Sequence, residues 1–326
     1  MCNDELYMRR CIQLAQNGMQ KAQPNPMVGA VIVHKGRIIG EGYHVRCGDG
    51  HAEVNACASV RSEDECLLPD STIYVSLEPC SHWGKTPPCA ELLVRKGFKR
   101  CVVGCIDPFA QVQGRGIKRL REAGIEVTVG VLEAECQALN KRFFTFHSKH
   151  RPYITLKWAQ SANGYIDGQI SNRYTQMLCH KRRAEHQAIM VGRHTWESDH
   201  PSLNIRSWYG PDPKIYVATR NPHYDTGRPT ASVCQLPTEG GLTGLYDDGI
   251  QTLLVEGGAQ LHQSFLDAGL WDECFVEVGP TSINGKVAAP ILKDATLVDT
   301  QTFFDRTILH YQKKSESVVN ASAIRG

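Results

Sequence analysis

Apolar and polar positions alternate along this chain in two registers, one helical and one extended, and they trade places repeatedly. From Asp4 to Asn17 the residues Leu6, Arg10, Cys11, Leu14 and Ala15 share one helical stripe, and Asn17-Gly18 supplies the stop. Met27 to Val33 and Arg37 to Tyr43 are strand-like runs joined by His34-Lys35-Gly36, which predicts a hairpin. The pattern then predicts a helix over His51 to Val60, a strand over Ser71 to Leu77 and a helix over Cys89 to Lys96. A strand over Arg100 to Cys105, a helix near Ile117 to Glu122, a strand over Ile125 to Val129 and a helix from Glu133 to Phe146 follow. Strands alternating with helices over about 145 residues indicate a layered α/β domain. The polar, proline-ended Ser148-Lys149-His150-Arg151-Pro152 marks a boundary. After it the alternation restarts, with strands at Tyr153 to Trp158, Ala188 to Val191, Lys214 to Ala218 and Gln251 to Val255. Helices are expected over about Thr175 to Gln187 and after Gly257-Gly258. The expected division is a first domain over 1–147, a second over 151–315, and a frayed tail over 316–326.

Composition narrows the class. The 326 residues include 41% apolar and 21% charged side chains, enough for two ordinary cores. A formal charge of +2 leaves no electrostatic footprint for nucleic acid or an anionic membrane. No apolar run approaches the roughly 20 residues of a membrane helix, and Met1 to Glu5 has no basic region leading into an apolar stretch. The 13 cysteines are odd in number and follow no repeating framework. A reducing, cytoplasmic setting with free thiols is therefore expected. Most of these cysteines, such as Cys11, Cys101 and Cys105 in apolar stretches, read as small core residues.

Three of the polar positions do not read as surface. His51-Ala52-Glu53 opens a predicted helix, Glu78-Pro79-Cys80 follows a predicted strand, and Pro87-Pro88-Cys89 opens another helix. One imidazole and two thiolates make three zinc ligands and leave a fourth position for water. Helix N-termini favour the thiolate forms. Glu53, two residues beyond the ligating His51, can reach that water without binding the metal, the arrangement of zinc nucleobase deaminases. A purely structural zinc site would recruit a fourth protein ligand, for which His82 and Cys57 are the candidates.

The longer strings carry a resemblance. His51-Ala52-Glu53-Val54-Asn55-Ala56 and Leu77-Glu78-Pro79-Cys80-Ser81-His82-Trp83-Gly84-Lys85-Thr86-Pro87-Pro88-Cys89 closely resemble the bifunctional riboflavin-biosynthesis deaminase–reductases, the RibD family. Eight residues separate Cys80 from Cys89, where most deaminase relatives have two. Pro24-Asn25-Pro26-Met27-Val28-Gly29-Ala30, Asp107-Pro108 and Gly114-Arg115-Gly116 fit the same family. The resemblance implies a cytidine-deaminase-like three-layer α/β domain. It also implies zinc on His51, Cys80 and Cys89, with Glu53 as the proton shuttle. The implied substrate is a small molecule, a diaminopyrimidinone carrying a ribosylamino 5′-phosphate, lined by Asn25, His44, His82 and Lys85. Amide and imidazole edges suit the base, and an ammonium suits the phosphate.

In the second half, Leu156-Lys157-Trp158-Ala159-Gln160-Ser161, Ile189-Met190-Val191-Gly192 to Thr195, and Asp199-His200-Pro201-Ser202-Leu203-Asn204-Ile205-Arg206 resemble the reductase domain of that family. Leu254-Val255-Glu256-Gly257-Gly258 resembles its phosphate-holding turn, where a glycine pair lets backbone N–H groups approach an anion. The resemblance implies a dihydrofolate-reductase-like α/β fold and NADPH-dependent reduction of ribosyl to ribityl. Gln160, Gln169, Thr195, Asp199, Thr219 and the turn Gly258, Ala259, Gln260, Leu261, His262, Gln263 and Ser264 would meet NADPH. Arg183, Leu203, Arg206 and Glu256 would meet substrate. The chain departs from the family in three places. Ala162-Asn163 stands for Leu-Asp, the shortened Asp167-Gly168-Gln169-Ile170-Ser171 puts Gln169 at a Trp position, and Ala218 replaces an acid. These departures predict weaker NADPH binding on an intact fold, and they define the alternative of a monofunctional deaminase with a degenerate second domain. Deaminase-fold proteins commonly associate, so a homodimer or tetramer is expected.

Overall fold

A computed structural model describes residues 3–81, 87–108, 113–235 and 239–314, so the expected tail lies outside the described residues. The chain divides into two compact units, Met1–His150 and Arg151–Gly326.

In the first unit a five-stranded sheet has the order β2-β1-β3-β4-β5. Its strands are β1 (Gly29–His34), β2 (Arg37–Tyr43), β3 (Thr72–Leu77), β4 (Arg100–Cys105) and β5 (Glu126–Val129). The hairpin partner β1 runs antiparallel to β2 and β3, whereas β3, β4 and β5 are parallel. Two-residue periodicity splits the apolar side chains between the faces. Ile32, Ile73, Val75, Cys101 and Val103 pack beneath α2 (Ala52–Ala58), α3 (Cys89–Lys96) and α4 (Arg115–Glu122). Val31, Val33, Tyr74 and Val102 pack on the other face against Met8 and Cys11 of α1 (Asn3–Gln16) and Cys136 of α5 (Glu133–Leu139). The result is a helix–sheet–helix sandwich with an apolar core on each face of the sheet.

Two expected boundaries move for one reason. The helix expected from Glu133 to Phe146 breaks at Asn140, after which α6 (Lys141–Lys149) begins. Asn140 is buried and points its amide at the Met27 backbone, accepting from the Met27 N–H and donating to the Met27 carbonyl, both at 2.8 Å. Met27 thereby has its polar groups taken by a side chain, and the strand expected from Met27 starts at Gly29. A short 3₁₀ segment, Ser62–Asp70, is absent from the sequence reading.

The second unit is an eight-stranded sheet with helices on both faces, in the order β12-β13-β11-β6-β10-β7-β8-β9. Its parallel body comprises β6 (Tyr153–Gln160), β7 (Ala188–Gly192), β8 (Lys214–Ala218), β9 (Ala231–Cys234), β10 (Thr252–Gly257) and β11 (Glu273–Val278). The strands β12 (Ala295–Phe303) and β13 (Arg306–Lys313) are added antiparallel. Four helices connect them: α7 (Arg173–Ala184), α8 (Arg193–Asp199), α9 (Glu239–Asp247) and α10 (Ala259–Asp267). Ile154, Leu156, Trp158, Leu253 and Val255 face α9 and α10, burying Phe265 and Trp271. Each such side chain contributes roughly 1.5–3 kcal/mol of transfer free energy. Ile189, Val191, Val217 and Leu254 face Trp196 and Leu203 on the other side.

Here the sequence reading missed several elements. It begins α7 late because Asn172 caps the helix from outside, accepting from the N–H groups of Tyr174 and Thr175. It has no β11 to β13. The strand β11 carries Glu273 and Glu277, poor strand formers that are buried here, and β12 is exposed along almost its whole length and has no apolar alternation to detect.

Candidate active sites

At the C-terminal end of β3 the chain places three donor atoms together. The His51 Nδ1, Cys80 Sγ and Cys89 Sγ atoms all lie within 4.8 Å of one another. His51 precedes the first residue of α2, Cys89 is the first residue of α3, and Cys80 follows β3. The His51 Nδ1 lies 3.5 Å from Cys80 Sγ and 3.3 Å from Cys89 Sγ. Tetrahedral zinc with its usual Zn–S and Zn–N lengths puts N and S about 3.5 Å apart, so the donor set fits zinc in kind and spacing. The Cys89 N–H, free at the helix start, donates to Cys80 Sγ at 3.3 Å. The Cys89 side chain, His51 and that N–H push the Cys80 thiol well below its ordinary value, which favours a thiolate ligand.

Glu53 is buried beside this set. Burial, reinforced by the Cys80 charge, raises its carboxyl to about 7. Asn25 and His44 close the other side. His44 is buried with its ring 5.4 Å from that of His51, and burial lowers its pKa. Its Nδ1 sits 3.2 Å from the Gly50 carbonyl and its Nε2 3.1 Å from the Asn25 amide nitrogen. A carbonyl only accepts, so Nδ1 carries the proton and Nε2 accepts from Asn25. His82 and Lys85 lie outside the described residues.

Glu78, to which the sequence pattern assigns no role, supports this site. Its buried carboxylate accepts from the N–H groups of Asp107, Gly114, Gly116 and Ile117, at 3.4, 2.9, 3.0 and 3.2 Å. It ties the Cys80 turn to the start of α4. A Cβ at Gly116 would lie 1.9 Å from the Pro79 carbonyl, so only glycine lets the two segments approach.

The second unit holds a cavity of about 1550 Å³ over the C-terminal ends of β6, β10, β7 and β8. Open parallel sheets bind ligands at that edge. The volume exceeds the roughly 300–1,000 Å³ of a single drug-sized site and leaves room for a dinucleotide beside a substrate. Gln169, Thr195, Asp199, Thr219, Glu256 and most of the Gly258 turn line it, as do Ala218 and Lys157. Gly258 has φ of +82°, and the Thr195 hydroxyl would stand 3.2 Å from a Cβ placed there. The backbone can therefore turn into α10 with its first N–H groups open to the cavity, which suits a dinucleotide pyrophosphate.

Lys157 also lines this cavity and is absent from the site residues expected from sequence. It interrupts the apolar run of β6, and that interruption was the available signal. Burial opposes its charge, but Cys179, Glu256 and Glu277 raise its pKa regardless. Glu256 is likewise opposed by burial and held below the usual carboxylate range by Arg183, whose Nε and Nη2 donate to it at 2.9 and 2.7 Å. Arg183 also donates to the Asn204 carbonyl, and Arg206 to the Asn204 side chain, so the two arginines gather behind Glu256 without lining the cavity. Leu203 is buried in the core, Gln160 accepts from the Trp158 indole, and Gln263 is bonded to Asp267 and Ile291; none of the three lines the cavity. His262 touches the cavity but is almost wholly buried, with Nε2 3.1 Å from the Val255 carbonyl.

Comparison with known proteins places both units. Residues 1–105 match the family described as the cytidine and deoxycytidylate deaminase zinc-binding region, and residues 152–317 match the RibD C-terminal domain. The riboflavin biosynthesis protein RibD of Bacillus amyloliquefaciens is 37% identical over 89% of this chain and 88% of its own length. The chain belongs to the RibD family. RibD of Aquifex aeolicus is 35% identical over 85% of this chain and 87% of its own. Among solved structures, a deaminase/reductase of Thermotoga maritima superposes with a TM-score of 0.85 at 31% identity, covering 95% of this chain and 99% of that one. RibD of Acinetobacter baumannii gives 0.86 at 30% identity, covering 96% and 99%. The folds are thus a cytidine-deaminase-like unit followed by a RibD reductase unit, and nothing in the comparisons favours a degenerate second half.

Proposed function

We propose that this chain is the bifunctional riboflavin-biosynthesis enzyme. Its first unit deaminates 2,5-diamino-6-(5-phosphoribosylamino)pyrimidin-4-one to the aminouracil, and its second reduces the ribosyl group to ribityl with NADPH. The observation that carries the reading is the presence in one RibD chain of a His/Cys/Cys set with a buried glutamate and, in the next unit, a dinucleotide-sized cavity at the strand ends.

In the first site, His51, Cys80 and Cys89 would hold zinc, which when bound makes a water nucleophilic at neutral pH. Glu53 takes a proton as the water oxygen adds to the ring carbon and returns it as the C–N bond breaks and ammonia leaves. Burial holds the Glu53 carboxyl above the usual carboxylate range, which suits a group that must both take and return a proton. Asn25, fixed by His44, keeps its amide oxygen for the amino edge of the pyrimidine. We assign phosphate contact to Lys85 and a base contact to His82 on the resemblance alone.

In the second site, NADPH when bound supplies the hydride. The Gly258 turn and α10 would hold its phosphates, and Gln169, Thr195, Asp199 and Thr219, which line the cavity, would contact it. Lys157 and Glu256 present opposite charges at the substrate end, and Arg183 fixes the Glu256 carboxylate in place.

We further place the enzyme in the cytoplasm as a homodimer or tetramer. Among the described residues all twelve cysteines are unpaired, in keeping with a reducing compartment, and no helix is long and apolar enough to cross a membrane. Light scattering of the purified protein tests the assembly.

The deciding experiment supplies the zinc-loaded protein with the phosphoribosyl diaminopyrimidinone and NADPH and follows product mass in the same tube. Deamination followed by addition of two hydrogens, with matching loss of NADPH, is expected. Deamination with NADPH untouched would return the second unit to a structural role, and no deamination by zinc-loaded protein would overturn the whole reading.

A further inference from the structure

We propose that Arg220, with Arg193 beside it, seats the 2′-phosphate that distinguishes NADPH from NADH, an assignment that rests on the reductase reading above. The cavity runs along four strand ends in the order β6, β10, β7, β8. Lys157 and Glu256 mark its substrate end on β6 and β10, and the Gly258 turn lies in the middle. The remaining lobe, at the ends of β7 and β8, is about 14 Å from β6 at three strand spacings. A dinucleotide whose nicotinamide faces Lys157 and whose pyrophosphate sits at the Gly258 turn must put its adenosine there.

That lobe is built for an anion. Gly192 and Ala218 are register partners on parallel β7 and β8, so Arg193-His194 and Thr219-Arg220 leave adjacent strands at the same level. All four residues line the cavity. Arg193 is engaged by Glu197 at 3.5 Å and by the Tyr224 ring at 5.9 Å. Arg220 is different: its carbonyl accepts from Gln235, but its guanidinium has no ion pair or hydrogen bond among the described residues. Asp199, which also lines the cavity, accepts the Ser198 hydroxyl at 2.6 Å and makes no ion pair with Arg220 among the described residues. A strand-end carboxylate beside the adenosine ribose would bind the 2′-hydroxyl and repel a 2′-phosphate, whereas an arginine accepts the phosphate. At β8 the strand end is Ala218 with Arg220 two residues on.

The test titrates the zinc-loaded full chain with adenosine 2′,5′-bisphosphate and with 5′-AMP by calorimetry, and with NADPH and NADH by fluorescence. The wild type is expected to prefer the 2′-phosphorylated member of each pair. Arg220→Gln should cut that preference by roughly 10- to 100-fold, the worth of a charged hydrogen bond, with 5′-AMP and NADH affinities unchanged. Retained 5′-AMP binding shows that the variant pocket is folded. A wild type that binds both members equally, or a variant with its preference intact, overturns the assignment while leaving the reductase reading standing. A wild type that binds none of the four nucleotides overturns that reading and this assignment together.

Discussion

The two sites of this enzyme solve the problem of holding reacting groups in opposite ways. In the first, three ligand atoms fall within 4.8 Å, carried on the starts of two helices and the turn after one strand. In the second, about 1550 Å³ of cavity is spread over the ends of four parallel strands, with residues from Lys157 to Val287 contributing. A compact site concentrates its chemistry in few atoms, so single changes should act as switches. A spread site divides its affinity among many contacts, so single changes should act in steps.

The sharpest test of that contrast is Glu53→Gln. The amide keeps the volume but cannot take and return the proton, so deamination should fall by at least about 10³-fold, near the top of what general acid–base catalysis contributes. Zinc content, read by atomic absorption, should be unchanged because Glu53 is not a ligand. NADPH binding by the second unit should be unaffected. A variant that deaminates at even a tenth of the wild-type rate would remove Glu53 from the proton path.

The second unit should show its dependence in stability against pH. Burial pushes His262 down to about 4 from an ordinary value of 6.5. Between those values the unfolded chain binds a proton that the folded one does not. The stabilisation is therefore complete above pH 6.5 and is lost as pH falls towards 4, by up to about 3 kcal/mol. Urea midpoints of the second unit at pH 7 and pH 4.5 measure it, and His262→Phe should flatten the slope relative to wild type. Equal slopes in the two proteins would place the titration elsewhere.

How far the sequence could be read follows the same divide. The motif residues of the first site lie in short strings at helix starts, and local pattern was enough to find His51, Glu53, Cys80 and Cys89. Lys157, Glu78 and Asn140 escaped because their roles depend on partners far along the chain. Asn140 looks like an ordinary helix residue until Met27, 113 positions away, is seen to take both of its hydrogen bonds. Likewise β12 could not be seen, since a strand exposed on both faces has no periodicity to betray it. Asn140→Ala should cost about 2 kcal/mol, because it removes two hydrogen bonds that hold the half-buried Met27 backbone. Since Met27 stands two residues from Asn25, the KM for deamination should rise more than kcat falls. A loss of stability with KM unchanged would mean that Asn140 braces the fold and not the substrate loop.

The smallest effect bears on the spread site's departure from its family. Gln169 lines the cavity at the position where the resemblance implies a tryptophan, on a short loop whose Asp167 accepts from the N–H groups of Lys286 and Val287 at 2.6 and 3.2 Å. The loop is thus anchored at its base while Gln169 itself is exposed, so a larger side chain can be accommodated without disturbing a core. Gln169→Trp should tighten NADPH by about 1 kcal/mol, roughly fivefold, the usual worth of one added aromatic contact. Fluorescence titration with NADPH reads it, and deamination should not change. In a site that shares its affinity among many contacts, one missing wall weakens binding by a step and does not abolish it. If the substitution instead raised affinity by a hundredfold or more, the second site would be as concentrated as the first, and the contrast drawn between them would fail.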